Sequence, residues 1–209
     1  MATSRPAGTQ NGRFFWPDLA VGSQGEPLET DPHSCSGRER LVRARALAET
    51  SAAFSAGGQN ISVVCRELAE RVANILLAGC LIRPLLGGVQ VLPVALGQVP
   101  DDVKPEVANF IEANPQAILA ACSARAAEMR CSILVSELAA KCLRLWTEQA
   151  AWPGLHKLAI RSVLVAPMCA SELALGTILV WRLQPAPSLQ AEDRLFVEEV
   201  ARRLATAYL

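Results

Sequence analysis

Residues 160–183, Ile160-Arg161-Ser162-Val163-Leu164-Val165-Ala166-Pro167-Met168-Cys169-Ala170-Ser171-Glu172-Leu173-Ala174-Leu175-Gly176-Thr177-Ile178-Leu179-Val180-Trp181-Arg182-Leu183, decide how the rest of the chain is read. Two apolar runs, Val163 to Ala166 and Ile178 to Trp181, flank a short polar turn. Both are rich in β-branched residues and far shorter than the roughly 20 residues that span a bilayer. They predict a buried β-hairpin at the centre of a sheet, apolar on both faces and therefore in need of two covering layers.

Around this hairpin, 209 residues suit one domain and a tail. Twenty basic residues balance twenty acidic ones, so no broad electrostatic footprint favours nucleic acid or an anionic membrane surface. The N-terminus lacks the apolar core of a signal peptide, and a cytoplasmic protein is expected. The seven cysteines, at 35, 65, 80, 122, 131, 142 and 169, form no CxxC pair, which argues against a disulfide framework or a zinc knuckle. Most stand in apolar surroundings, where a free thiol packs as a small hydrophobe in a reducing compartment.

Residues 1–37 are rich in Gly, Pro, Ser and Thr without a sustained period, and read as a disordered or weakly ordered tail. The Phe14-Phe15-Trp16 cluster interrupts it, as a docking point for a partner or a segment folding back on the domain. From Arg38 a weakly amphipathic helix is expected, stopping at Gly57-Gly58. After Asn60, Val64, Leu68, Val72, Ile75 and Leu76 fall on one helical face, with Arg66, Glu67, Glu70 and Arg71 opposite. Cys80 to Gly97 predicts an opening hairpin about Gly87-Gly88, with Pro84 and Pro93 at strand ends, bulges or an edge. Short helices are expected over Asp101–Ala113 and after Pro115, the latter burying Ile118, Leu119, Cys122 and Ala126. Met129 to Val135 reads as a strand, and Glu137 to Trp146 as a short helix with Leu138, Cys142, Leu145 and Trp146 inward. Ser188 is placed as the cap of a last helix lined by Phe196, Val200, Leu204 and Ala207, with Arg194, Glu198, Glu199, Arg202 and Arg203 solvated.

Several segments resemble motifs of the GAF domain family of small-molecule sensors. Leu158 to Pro167 is similar to its Gly-Ile-Arg-Ser-like turn, apolar strand and proline. Leu173 to Val180 resembles its returning strand, with Gly176 as the fixed glycine; Ala124 to Leu138 is similar to its third strand and flanks. Ser188 to Phe196, including Asp193, resembles the start of its closing helix. The resemblance spans Arg38 to Leu209. It implies an α+β fold with a central antiparallel sheet of about six strands. Terminal helices would cover one face and commonly pair two chains, and short helices would cover a ligand pocket on the other. In that register the pocket candidates are Cys131, Ile133, Leu138, Cys142, Trp146, Trp152, His156, Val163 and Val165.

Departures bear on the ligand, whose identity stays unknown. No cysteine precedes a histidine, which disfavours a covalent bilin, and no Asn-Lys pair exists, which disfavours a cyclic nucleotide. Ala159 stands where the family usually has Gly. Cys131, Cys142, His156 and Cys169 carry the thiolate and imidazole ligands that suit iron, haem or zinc, but their spacing matches no compact motif, and no metal site is assigned. Trp146 and Trp152 suit either stacking on a planar ligand or plugging a core rim. No GxSxG, HExxH, P-loop or GxGxxG occurs, and no catalytic residue is assigned. The expected function is a non-enzymatic sensory or regulatory GAF-like domain. It would bind a small molecule or partner and signal as a homodimer through its terminal helices to a downstream protein. The alternatives are a thiol-based redox enzyme or sensor of the free-methionine-sulfoxide-reductase type, and a degenerate dimerisation module without ligand. No kinase, cyclase or DNA-binding segment follows Leu209, so output is expected from a partner, the tail or a longer protein.

Overall fold

The computed structural model describes residues 37–55, 61–84, 94–96, 105, 109, 120–138 and 159–207. In chain order the elements are α1 (Gly37–Ser55), α2 (Ile61–Leu76), β1 (Gly79–Pro84), β2 (Val94–Leu96), α3 (Ala120–Met129), β3 (Ile133–Val135), β4 (Ile160–Ala170), β5 (Leu173–Leu183) and α4 (Ala191–Ala207). Among the described residues the sheet has five strands in the order β2-β1-β5-β4-β3, all neighbours antiparallel. The fold is α+β.

The hairpin at 160–183 forms β4 and β5 at the middle of this sheet. Side chains alternate across a strand, so consecutive residues belong to different layers. Cys80, Ile82, Leu164, Ala166, Met168, Ile178 and Val180 face the helices, where Val72, Leu76, Phe196, Val200 and Leu204 close the core. The opposite set, Leu81, Val163, Val165, Leu179 and Trp181, is buried as well. That two-sided burial is why the two runs read as almost continuously apolar.

Gly176 sits where no side chain fits. A Cβ there would stand 2.5 Å from the Arg83 carbonyl oxygen and 2.3 Å from Met168 Cε. β1 is thus drawn tightly against β5, with Pro84 opposite Gly176 in the register. Pro84 ends β1, where its missing N–H costs no ladder bond, and Pro93 lies outside the described residues.

α2 buries the stripe Val64, Leu68, Val72 and Leu76 and exposes Arg66, Glu67 and Glu70, as its period requires. α1 buries little; Leu41 and Val42 are exposed, and polar links hold it in place. Gly37, counted with the tail from sequence, is its first residue.

Four expectations need correction. The helix preceding β3 continues through Met129, and Arg130 turns the chain with a φ of 53°, so the strand begins at Ile133 and not at Met129. Ala124, Arg125, Ala126, Ala127 and Glu128 favour continuing the helix over an early strand. Glu137 and Leu138 are not helical; the Leu138 N–H donates to the Arg161 carbonyl at 2.7 Å, which holds this stretch along β4. The cap of α4 is Gln190, not Ser188. The Arg194 N–H donates to the Gln190 carbonyl at 3.1 Å, and the Gln190 N–H to Asp193 Oδ2 at 2.9 Å, the returning half of a capping box. Ala207 is exposed; Ala201 and Ala205 take the inner stripe with Phe196, Val197, Val200 and Leu204.

Expectations on the N-terminal tail with Phe14-Phe15-Trp16 and on the Gly87-Gly88 turn lie outside the described residues, as does the 101–113 helix apart from Pro105 and Asn109, which are helical. Among the described residues, no helix is long and apolar enough to cross a membrane.

Candidate functional site

Two sets of side chains stand back to back on β5, one on each face of the sheet. On the face away from α1, α2 and α4, the register aligns Ile133, Val165, Leu179 and Leu81 in one row. The next row is Val135, Val163, Trp181 and Gly79. Trp181 lies flat over Gly79: a Cβ on that glycine would come within 2.2 Å of the indole. Beyond Leu81 and Leu179, Arg83 and Thr177 pair across the strands, both buried. α3 packs against β4 and β5, and its buried Cys122 and Ala126 stand outside the helix-side cluster.

This apolar face carries polar atoms that the fold leaves unmatched. Thr177 is 1% exposed and Trp181 3%, yet neither Thr177 Oγ1 nor Trp181 Nε1 has a hydrogen-bond partner. Ser123 Oγ on α3 is in the same condition. An orphaned buried donor costs about 1–3 kcal/mol, and native proteins keep few of them.

On the helix side of β5, Arg182 gathers three elements. Its Nε donates to the Leu76 carbonyl at the end of α2 at 2.9 Å, and its Nη1 to the Ser188 carbonyl at 3.0 Å. Its Nη2 stands 3.4 Å from Asp193 Oδ2 in the first turn of α4. Asp193 in turn accepts a 2.6 Å hydrogen bond from Arg43 Nη2 of α1, whose guanidinium lies 5.6 Å from the Phe196 ring centroid. Burial pushes the Arg182 guanidinium down from its ordinary pKa, and the Asp193 charge opposes that shift. The Ile160-Arg161-Ser162 motif secures the same corner: Ser162 Oγ accepts from the Leu189 N–H at 3.0 Å, and Arg161 Nε donates to Ser188 Oγ at 3.0 Å. A cavity of about 800 Å³ opens beside this cluster, lined in part by Arg38, Val42, Arg43, Ile75, Arg182 and Asp193.

Of the residues expected from sequence to line a pocket, Ile133, Val163 and Val165 come together on the first face, all buried. Cys131 stands half-buried between α3 and β3, and Leu138 follows β3 along β4. Cys142, Trp146, Trp152 and His156 lie outside the described residues. Among the described residues, no cluster of three His, Cys, Asp or Glu side chains is arranged to hold a metal ion. Burial raises the thiol pKa of Cys65 to about 11 and of Cys122 to about 12. Burial also raises Cys131 and Cys169, partly offset by Arg125 and Arg130 respectively. Sequence reasoning passed over Arg83, Thr177, Trp181 and Arg182. The available signal was a lone arginine closing each apolar strand, in Cys80-Leu81-Ile82-Arg83 and in Val180-Trp181-Arg182.

Neither a family model nor a curated protein matches this chain. Many solved structures do match in three dimensions. The GAF domain of a phosphoenolpyruvate-protein phosphotransferase from Acinetobacter is 13% identical over 83% of this chain and 93% of its own, with a TM-score of 0.55. The corresponding GAF domain from Coxiella burnetii is 14% identical over 80% of this chain and 93% of its own, at 0.53. Free methionine-R-sulfoxide reductase from Neisseria meningitidis, in complex with its substrate, is 12% identical over 84% of this chain and 92% of its own, at 0.54. The chain has the GAF fold.

Proposed function

We propose that this chain is a non-enzymatic sensory or regulatory domain. It binds a small molecule on the sheet face away from the terminal helices and passes the signal through those helices, as a homodimer, to a downstream protein. One observation carries the reading. Trp181 faces the side of the sheet away from the terminal helices, and the next residue, Arg182, faces the other way and joins the end of α2, the start of α4 and, through Asp193 and Arg43, α1. A ligand that shifts β5 at Trp181 moves Arg182 with it, because consecutive residues share one backbone. The exposed Leu41, Val42 and Leu195 on α1 and α4 support pairing of two chains through this layer. The GAF fold supports the reading by analogy, since fold alone does not fix function.

Thiol redox chemistry has weaker support. A reactive cysteine needs a lowered pKa, and among the described residues burial raises Cys65, Cys80, Cys122, Cys131 and Cys169.

The test joins light scattering with native mass spectrometry and amide exchange. A two-chain particle, a retained small molecule and changed exchange in α1 on ligand removal are expected. A concentration-independent monomer, with α1 exchange indifferent to ligand, refutes the signalling mechanism.

A further inference from the structure

We infer that Phe14-Phe15-Trp16 of this same chain docks in the cavity beside the Asp193 corner, where its rings cover the apolar wall left open between α1, α2 and α4. The docking goes beyond the sensory reading above and does not depend on it.

The cavity measures about 800 Å³, within the roughly 300–1,000 Å³ that holds a bound organic group. Its wall includes Val42 of α1, Ile75 and Leu77 at the end of α2, and Pro187 ahead of α4. Val42 is 46% exposed and Leu77 50%. Leu77 follows α2 at a φ of 49°, a position where glycine or asparagine is the usual residue, so a large apolar side chain is held at the cavity wall against local preference. Such a wall calls for an apolar occupant, and aromatic side chains bury roughly 150–250 Å² each.

Place and charge select the occupant. Twenty residues, 17–36, separate Trp16 from Gly37, the first residue of α1, and Arg38 already lines the cavity. A tether of that length extends to at most about 70 Å, so the cluster reaches the cavity without strain. It carries four acidic side chains, Asp18, Glu26, Glu29 and Asp31, and no Lys or Arg. The helix at which it ends carries four arginines against two glutamates, and Arg38, Arg40 and Arg45 are exposed. Opposite charge therefore holds the tail close to α1. At the cavity itself, Arg38 and Glu192 enter none of the ion pairs of the described residues, and Arg13 and Asp18 flank the aromatic cluster with the matching signs. A second copy carries the same segment without the tether. The tethered one acts at an effective concentration on the order of 1 mM, so an intrinsic affinity of about 0.1 mM leaves roughly ten docked chains for each open one.

The test uses the full chain labelled with fluorotryptophan and read by fluorine NMR. The Trp16 signal is the one that vanishes in Trp16→Phe. Its isotope shift between H2O and D2O is expected to be small in the folded protein and to rise to the urea-unfolded value when Val42→Glu is combined with Leu77→Asn. Both side chains are exposed, and asparagine suits the backbone at position 77, so this variant keeps the fold. A second readout starts from the tail: Phe14→Ser, Phe15→Ser and Trp16→Ser together should speed amide exchange at residues 38–43 about tenfold, in line with the docked fraction. The inference is overturned if Trp16 in the parent protein is as accessible as in urea, the result expected of a cavity kept for a foreign partner. It is overturned equally if the cavity-wall variant leaves Trp16 buried, or if burial grows with protein concentration, which makes a second copy the occupant. Unchanged exchange at 38–43 in the triple serine variant overturns it as well.

Discussion

Asp193→Asn probes the corner on which the helical layer is assembled. The carboxylate is shared by Arg43 at 2.6 Å and Arg182 at 3.4 Å, and the three side chains are 5%, 16% and 11% exposed respectively. The amide keeps nearly the same shape, and its remaining oxygen can still accept from the Gln190 N–H, so the cap survives and the charge is lost. Two partly buried guanidinium groups then face each other without a counter-charge. Removing one partner from a buried ion pair costs about 3–5 kcal/mol, and partial access of water to the arginines places this case near the lower end, about 3 kcal/mol. With a urea dependence of about 2 kcal/mol per molar, the unfolding midpoint should fall by roughly 1.5 M. Arg43→Met should cost less, because Asp193 keeps Arg182. Combining the two changes should cost less than their sum, since both remove the same contact, with a coupling of about 0.5–3 kcal/mol. Equilibrium urea unfolding followed by tryptophan fluorescence measures all three. A loss below about 0.5 kcal/mol for Asp193→Asn, the scatter of ordinary surface changes, would refute the view that this carboxylate organises the corner.

Further outcomes follow from single positions. Ala159 has a φ of 42°, in the left-handed region, so Ala159→Gly should stabilise the domain by about 1 kcal/mol, seen as a higher urea midpoint. Gly176→Ala should destabilise it by several kcal/mol, on the order of the largest single-residue effects, because the added carbon meets the Arg83 carbonyl; an unchanged midpoint would show that β1 and β5 are not so closely paired. With an aromatic disulfide reagent at pH 8, Cys131 and Cys169 should react in the folded protein before buried Cys65, Cys80 and Cys122, as read by peptide mass mapping. The raised thiol pKa of Cys65, about 11, means that the unfolded chain loses its proton first. The contribution of this thiol to stability is full below the unfolded value of about 8.5 and falls as pH rises toward 11, by up to about 1.4 kcal/mol per pH unit, and buried Cys80 and Cys122 add to the decline in the same direction. Cys65→Ala should lessen that alkaline decline without abolishing it, because Cys80 and Cys122 remain.

The order of the described elements was readable because each carries its own period. Val64, Leu68, Val72 and Leu76 announce a helix face without any knowledge of what they touch, and Val163 to Ala166 with Ile178 to Trp181 announce a strand pair buried on both sides. Gly176 was legible as a fixed position, though not its reason, which is the carbonyl of Arg83 brought against it from a strand more than ninety residues earlier. The helix-to-strand change at Met129 was misplaced because a short apolar run after an alanine-rich helix carries no period of its own; the turn at Arg130 is set by backbone geometry. Ser188 was a reasonable cap by type, but Arg161 occupies its hydroxyl, and Asp193 closes the helix end from inside.

Sequence by itself determined the layers of this protein, since periodicity is a local property of the chain that says which side of each element avoids water. Tertiary structure alone decided the site. Arg43, Arg182 and Asp193 are spread over 150 residues and meet only when α1, β5 and α4 pack. The burial of Thr177 and Trp181 exists only once the sheet is covered. Charge pairing and desolvation act through space, and a one-dimensional pattern does not contain those distances.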